Sequence, residues 1–90
     1  MPTGTADRDT VADTVKRLVI AQSQLTISTG RITEAEPLAG PLLDVTSLGL
    51  LAVLLKIEEE FGVTLPDDLF SASLPRTVGD LVDLVQRTAR

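Results

Sequence analysis

Residues 44–63 read DVTSLGLLAVLLKIEEEFGV. A lone serine stands near the start of this stretch, a long aliphatic run follows, and three consecutive glutamates close it. A plain core helix interleaves its charges with its apolar residues; here the charges wait until the far end. Leu50, Val53, Leu54, Ile57 and Phe61 fall at i, i+3, i+4, i+7 and i+11, the spacing of one buried helical stripe. The spacing predicts a helix over residues 47–61, ended by Gly62 acting as a left-handed C-cap residue.

A second line runs opposite the first. Leu48, Ala52, Leu55 and Glu59 lie at i, i+4, i+7 and i+11. A bundle of this size has little chain left to cover that side, so Leu48 and Leu55 are expected to be partly exposed. They are either core residues of an enclosed helix, since single exposed leucines are ordinary, or an apolar docking surface rimmed by charge. Glu58, Glu59 and Glu60 oppose the helix dipole and repel one another, and Lys56 can relieve Glu60 at i, i+4. These acids are either a solvated helix end or an electrostatic landing site for basic partner surfaces.

Ser47 also has two readings. A serine at a helix start is most often a cap. A phosphate ester on it would sit where backbone N–H groups are free and the dipole is positive. Gly49 costs ~1 kcal/mol relative to alanine in a helix interior, less near an end, and leaves the surroundings of the serine open.

Working outward, residues 1–8 read as a flexible tail and residues 9–90 as one domain. A first helix starts near Thr10, where Thr10 and Asp13 form a capping-box-like pair. Val11, Val15, Leu18, Val19 and Gln22 share one face, and Asp13 can pair with Arg17 outside. Residues 26–46 form a long connection, punctuated by Gly30, Pro37, Gly40 and Pro41. Ile32, Leu38, Leu42, Leu43 and Val45 can pin it to the core. Pro66 starts a short third helix with Asp67 and Asp68 in its first turn. The last helix runs from Thr77 to about Thr88, with a cap at Thr77–Asp80 and a stripe of Val78, Leu81, Val82 and Val85. Acids at its start and Arg87 and Arg90 at its end complement the dipole. The expected architecture is all-α: three main helices plus a short third one, with a long loop between the first two.

Composition excludes much. The chain of 90 residues has no Cys and no His. It therefore lacks a thiolate nucleophile, the usual general base and the commonest metal ligands. Only carboxylates and hydroxyls remain, and no carboxylate pair is flanked by a pocket-like pattern, so no catalytic activity of its own is expected. Aromatic residues make up 2% and the net charge is −5, which argues against nucleic acid and favours partners with basic surfaces. The N-terminus has no apolar signal segment, and the run from Leu48 to Leu55 is too short to span a bilayer. The expected location is the cytoplasm, with no membrane partner.

These residues resemble the acyl carrier and peptidyl carrier protein family over nearly the whole chain. The likeness is most specific in TSLGLLAVLLKIEEEFGVTLPDDLF followed by TVGDLVDLV. The family's modified serine, in an Asp-Ser-Leu motif, matches Ser47, and its leucine matches Leu48. Its acidic helix end matches Glu58 to Phe61, and its acidic turn matches Pro66, Asp67 and Asp68. The resemblance implies a four-helix carrier bundle. It also implies that a phosphopantetheinyl transferase, with a metal ion held at the transferase, moves 4′-phosphopantetheine from coenzyme A onto Ser47. The arm's thiol then carries an acyl or aminoacyl group as a thioester. This agrees with the composition, because a chain without Cys can import its thiol on a cofactor.

The sequence departs from the family pattern at two positions. Thr46 stands where the family has Asp before the serine, with Asp44 the nearest upstream acid, and Ala52 replaces a common acid. From Thr46 to Leu55 there is no charge. Recognition near Ser47 should lean on apolar contact at Leu48, Ala52 and Leu55, with charge from Glu58, Glu59, Asp67 and Asp68. The reading is of a freestanding, monomeric carrier in polyketide or nonribosomal-peptide type (antibiotic) biosynthesis. Its partners would be a phosphopantetheinyl transferase, a loading enzyme and downstream synthase, transferase or tailoring enzymes. The alternatives are a carrier of primary fatty-acid synthesis or a non-carrier acidic helical adaptor.

Overall fold

The computed structural model describes residues 8–65 and 74–88. Three α-helices occur among them: α1 (Arg8–Gln22), α2 (Ser47–Phe61) and α3 (Val78–Thr88). The expected all-α bundle is present in these residues. The expected short helix at Pro66, Asp67 and Asp68 lies outside the described residues, as does Arg90.

The three apolar stripes meet in one aliphatic core. Val15, Val19, Ile57, Val78, Leu81, Val82 and Val85 have no exposed surface, and Val53 has 1%. Leu50 and Leu54 are buried beside them, and Phe61 is packed half-buried at the edge. Among the described residues no polar or charged side chain is buried. Helix α1 packs against both α2 and α3.

The helix ends follow from local chemistry. Gly62 adopts φ 66°, ψ 35°, the left-handed C-cap expected of it. At the start of α3, the Asp80 N–H donates to Thr77 Oγ1 at 3.1 Å while Asp80 Oδ2 accepts from the Thr77 N–H at 3.2 Å. That reciprocal pair is a capping box closed by Asp. Helix α1 differs from expectation. It is already helical at Arg8, the first described residue, ahead of Thr10 and within the segment assigned to the tail. Asp13 pairs with Arg17 at 3.2 Å, as expected, and also accepts from Thr29 Oγ1 at 3.0 Å.

Arg8 ties this first described turn to the rest of the bundle. Its guanidinium donates to Glu34 at 2.6 Å, Asp83 at 2.8 Å and Gln86 at 3.1 Å, joining α1, the connection and α3. The hydrogen bond to Glu34, then that to Asp83, holds its pKa above the usual range. This three-way contact joins residues far apart in sequence, so periodicity gave no sign of it.

The connection between α1 and α2 is ordered by hydrogen bonds to the start of α3. The Leu38 N–H donates to Arg76 O at 2.8 Å, the Val78 N–H to Glu36 O at 3.1 Å and the Gly79 N–H to Glu34 O at 2.7 Å. A Cβ on Gly79 would lie 3.0 Å from Glu34 O, so this close approach requires glycine. One 3-10 turn, Thr29–Arg31, interrupts the connection and had no signal in the sequence. Ile32, Leu38, Leu43 and Val45 are buried as expected, but Leu42 is 40% exposed. The turn in which the Asp44 N–H donates to Gly40 O at 2.8 Å sends Leu43 inward and Leu42 outward. Asp44 sits at φ 50°, a left-handed position that Asp tolerates better than most residues. From there the Val45 N–H reaches back to Leu38 O at 2.7 Å, and the chain enters α2.

Candidate functional site

The start of α2 is the centre of the site. Thr46 is the N-cap residue, with φ −78° and ψ 173°, and its Oγ1 accepts from the Gly49 N–H at 3.1 Å. Ser47 is the first helical residue and is exposed. Among the described residues its hydroxyl has no hydrogen-bond partner. The capping role that residue type suggested for Ser47 therefore belongs to Thr46. No acidic side chain lies in the first turn of α2. An anion esterified to Ser47 would meet the positive end of the helix with no carboxylate of that turn opposing it.

Gly49 is buried, contrary to the expectation that it opens the surroundings of the serine. A Cβ there would lie 3.4 Å from Thr46 Oγ1, 3.5 Å from Val45 Cγ1 and 3.6 Å from Gln22 Nε2. The openness at Ser47 comes from its place on the helix.

The outer face is where the second sequence stripe puts it. Leu48 is 77% exposed and Leu55 52%, with Ala52 half-buried between them. Leu51, at 41%, belongs to the same face and escaped the stripe because it is offset to its edge. Leu48, Leu51, Ala52 and Leu55 line a shallow depression closed at one side by Gln22 and Thr46. Gln22, which shares a face of α1 with Val11, Val15, Leu18 and Val19 by spacing, is exposed, its side chain extending over α2 near Gly49.

The glutamates do not act alike. Glu58 is half-buried, and its Oε2 accepts from the Leu65 N–H at 2.8 Å. It fastens the extended segment that leaves Gly62, which accounts for an acid so near the negative end of a dipole. Glu59 and Glu60 are exposed. Lys56 approaches Glu59 at 3.8 Å, in place of the expected Glu60. Such an exposed pair contributes at most about 1 kcal/mol. Asp67 and Asp68 lie outside the described residues.

On the other flank of Ser47 is a larger groove of about 750 Å³. Among the described residues it is lined by Pro37–Gly40, Val45–Ser47, Leu50 and Leu74–Arg76. Sequence reasoning did not find it, because it is lined by segments distant in the sequence, two of which the Leu38–Arg76 hydrogen bond joins. Among the described residues there is no group of three or more carboxylates able to hold a metal ion. No described helix is long and apolar enough to cross a membrane.

A family model described as a phosphopantetheine attachment site matches residues 13–85, most of the chain. The protein belongs to this phosphopantetheine-binding carrier family. The family attaches 4′-phosphopantetheine covalently, and its carrier domains are generally non-catalytic. Carrier proteins of this kind work with phosphopantetheinyl transferases and synthase enzymes. The site fits such a group: the described start of α2 has an exposed, unpartnered hydroxyl, no first-turn carboxylate and a groove beside it.

Proposed function

We propose that Ser47 carries the 4′-phosphopantetheine group and that the protein presents an acyl or aminoacyl cargo to partner enzymes. When attached, the group supplies the thiol that holds the cargo as a thioester, chemistry that the chain, with no cysteine, lacks. The observation that carries this reading is the exposed Ser47 hydroxyl at the first position of α2, relieved of capping by the Thr46–Gly49 hydrogen bond. In this reading the chain has no catalytic activity of its own. The helix presents the serine, and the bundle supplies the surface that partners recognise.

Partner contact in this reading falls on Leu48, Leu51, Ala52 and Leu55, with Glu59 as acidic rim and Asp67 and Asp68 extending the acidic side. Glu58 contributes by holding the segment after α2. The uncharged run from Thr46 to Leu55 supports a partner set that reads shape and apolar area near the serine more than charge. We place the protein on that ground in polyketide or nonribosomal-peptide type biosynthesis, acting as a monomer in the cytoplasm. Its partners are then a transferase that installs the arm, a loading enzyme and a downstream synthase or tailoring enzyme.

The test is incubation with coenzyme A and a broad-specificity phosphopantetheinyl transferase, followed by intact-mass analysis. A gain of one phosphopantetheinyl group, absent in Ser47→Ala, is the expected result. Retained modification in Ser47→Ala would move the attachment elsewhere.

A further inference from the structure

Leu38 joins the starts of two helices. Its N–H donates to Arg76 O at 2.8 Å, just ahead of α3, and its carbonyl accepts the Val45 N–H at 2.7 Å, just ahead of α2. It ends a short antiparallel ribbon in which Pro37 bridges Thr77, Glu36 O accepts the Val78 N–H at 3.1 Å and Glu34 O accepts the Gly79 N–H at 2.7 Å. The ribbon is shallowly rooted. From Glu34 to Val45 only Leu38, Leu43 and Val45 are buried, so backbone hydrogen bonds, more than the core, hold this segment in place. At the end farthest from Leu38 the Arg8 guanidinium spans the ribbon's edge. It donates to the Glu34 carboxylate at 2.6 Å on one side, and to Asp83 at 2.8 Å and Gln86 at 3.1 Å, both on α3, on the other. These contacts face solvent: the side chains of Arg8, Glu34 and Asp83 are 42%, 35% and 51% exposed.

We infer that Arg8 is an ionic latch on one opening unit, residues 34–45, which couples the start of α3 to the start of α2. A segment with few buried apolar contacts and exposed hydrogen bonds opens locally at a lower free energy than the helices beneath it. Opening of the ribbon begins at its outer end, where Arg8 sits. The fixed fork of guanidinium donors holds two carboxylates and an amide oxygen at once, which the compact charge of an ammonium does less well. Once Glu34 is released, the bonds from Gly79, Val78 and Leu38 part in turn. The Val45 N–H then loses a fixed acceptor, because Leu38 carries the bonds to both helix starts. The buried stripes of α1, α2 and α3 keep their packing throughout. Because the latch acts through exposed charges, dissolved salt weakens it.

The experiment is amide hydrogen exchange, read by NMR, on wild type, Arg8→Gln and Arg8→Lys. The reference amide is Val63, whose N–H donates to Glu58 O at 3.2 Å at the far end of α2. In Arg8→Gln, exchange at Leu38, Val45, Val78 and Gly79 should quicken together by about fivefold relative to Val63, the scale of an exposed ion pair. Arg8→Lys should restore part of the protection. Raising the salt from about 0.01 M to about 1 M shortens the screening length from about 30 Å to about 3 Å. It should quicken the same four amides in the wild type and leave them unchanged in Arg8→Gln. Quickening at Val78 and Gly79 without Val45 would overturn the coupling through Leu38. Unchanged exchange at all four amides, or an equal salt response in wild type and Arg8→Gln, would overturn the latch. Quickening of the same size at Val63 would make Arg8 a general stabiliser and overturn it too. The salt series on the wild type keeps the test intact should a variant fail to fold.

Discussion

Thr46 Oγ1 accepts the Gly49 N–H at 3.1 Å, and this one bond decides what Ser47 is free to do. Two adjacent hydroxyls compete to cap α2. The extended backbone at Thr46, φ −78° and ψ 173°, gives the role to the first of them. Thr46→Val should cost about 1 kcal/mol. It should lower the melting temperature by about 4–8 °C for a domain of this size. Thr46→Ser should recover most of that loss, and Ser47→Ala should melt close to wild type. Thermal melts followed by far-UV circular dichroism check all three. A larger loss in Ser47→Ala than in Thr46→Val would return the cap to Ser47.

Leu54 and Leu55 are neighbours with opposite roles: Leu54 is 4% exposed and Leu55 52%. Leu54→Ala should cost about 2–5 kcal/mol, as buried leucine truncations do. Leu55→Lys should stay within about 0.5 kcal/mol of wild type, as exposed substitutions do. Processing of Leu55→Lys by partner enzymes should nonetheless fall, because an apolar contact becomes a charge. A large melting shift in Leu55→Lys would make Leu55 a core residue and remove it from the docking face.

Glu58 and Glu59 should separate in the same way. The Glu58 carboxylate accepts the Leu65 N–H, a hydrogen bond to a charged group, and Glu58→Ala should cost about 1–3 kcal/mol. Glu59→Ala, which loses only the long contact with Lys56, should be near neutral. Amide hydrogen exchange at Leu65 gives a local readout. It should quicken in Glu58→Ala and stay unchanged in Glu59→Ala. Equal behaviour of the two variants would contradict the inward role of Glu58.

The parts of the fold governed by helical periodicity were legible in the sequence. Both stripes of α2, the stripe of α3 and the left-handed Gly62 follow from residue spacing and from the conformational freedom of glycine. What stayed hidden depends on contacts between distant segments. The Arg8 bridge, the Glu58–Leu65 bond and the groove at Arg76 pair residues with no shared period. Leu42 was misplaced because an aperiodic turn, with Asp44 at φ 50°, sets its direction. At the site, family likeness and not residue type set Ser47 apart from a mere cap, and the structure gives the cap to Thr46. Residue type alone favoured it as the cap, because choosing between Thr46 and Ser47 requires the backbone angle at Thr46. Leu51 was overlooked because a strict stripe of period 3.6 leaves out residues at its edge.

The most direct measurement is the intact mass of the wild-type protein after incubation with coenzyme A and a phosphopantetheinyl transferase of proven activity on another carrier. The account predicts the mass of one added phosphopantetheinyl group, located by peptide fragmentation on Ser47. An unchanged mass, or the group located on Thr46 or another hydroxyl, would contradict it.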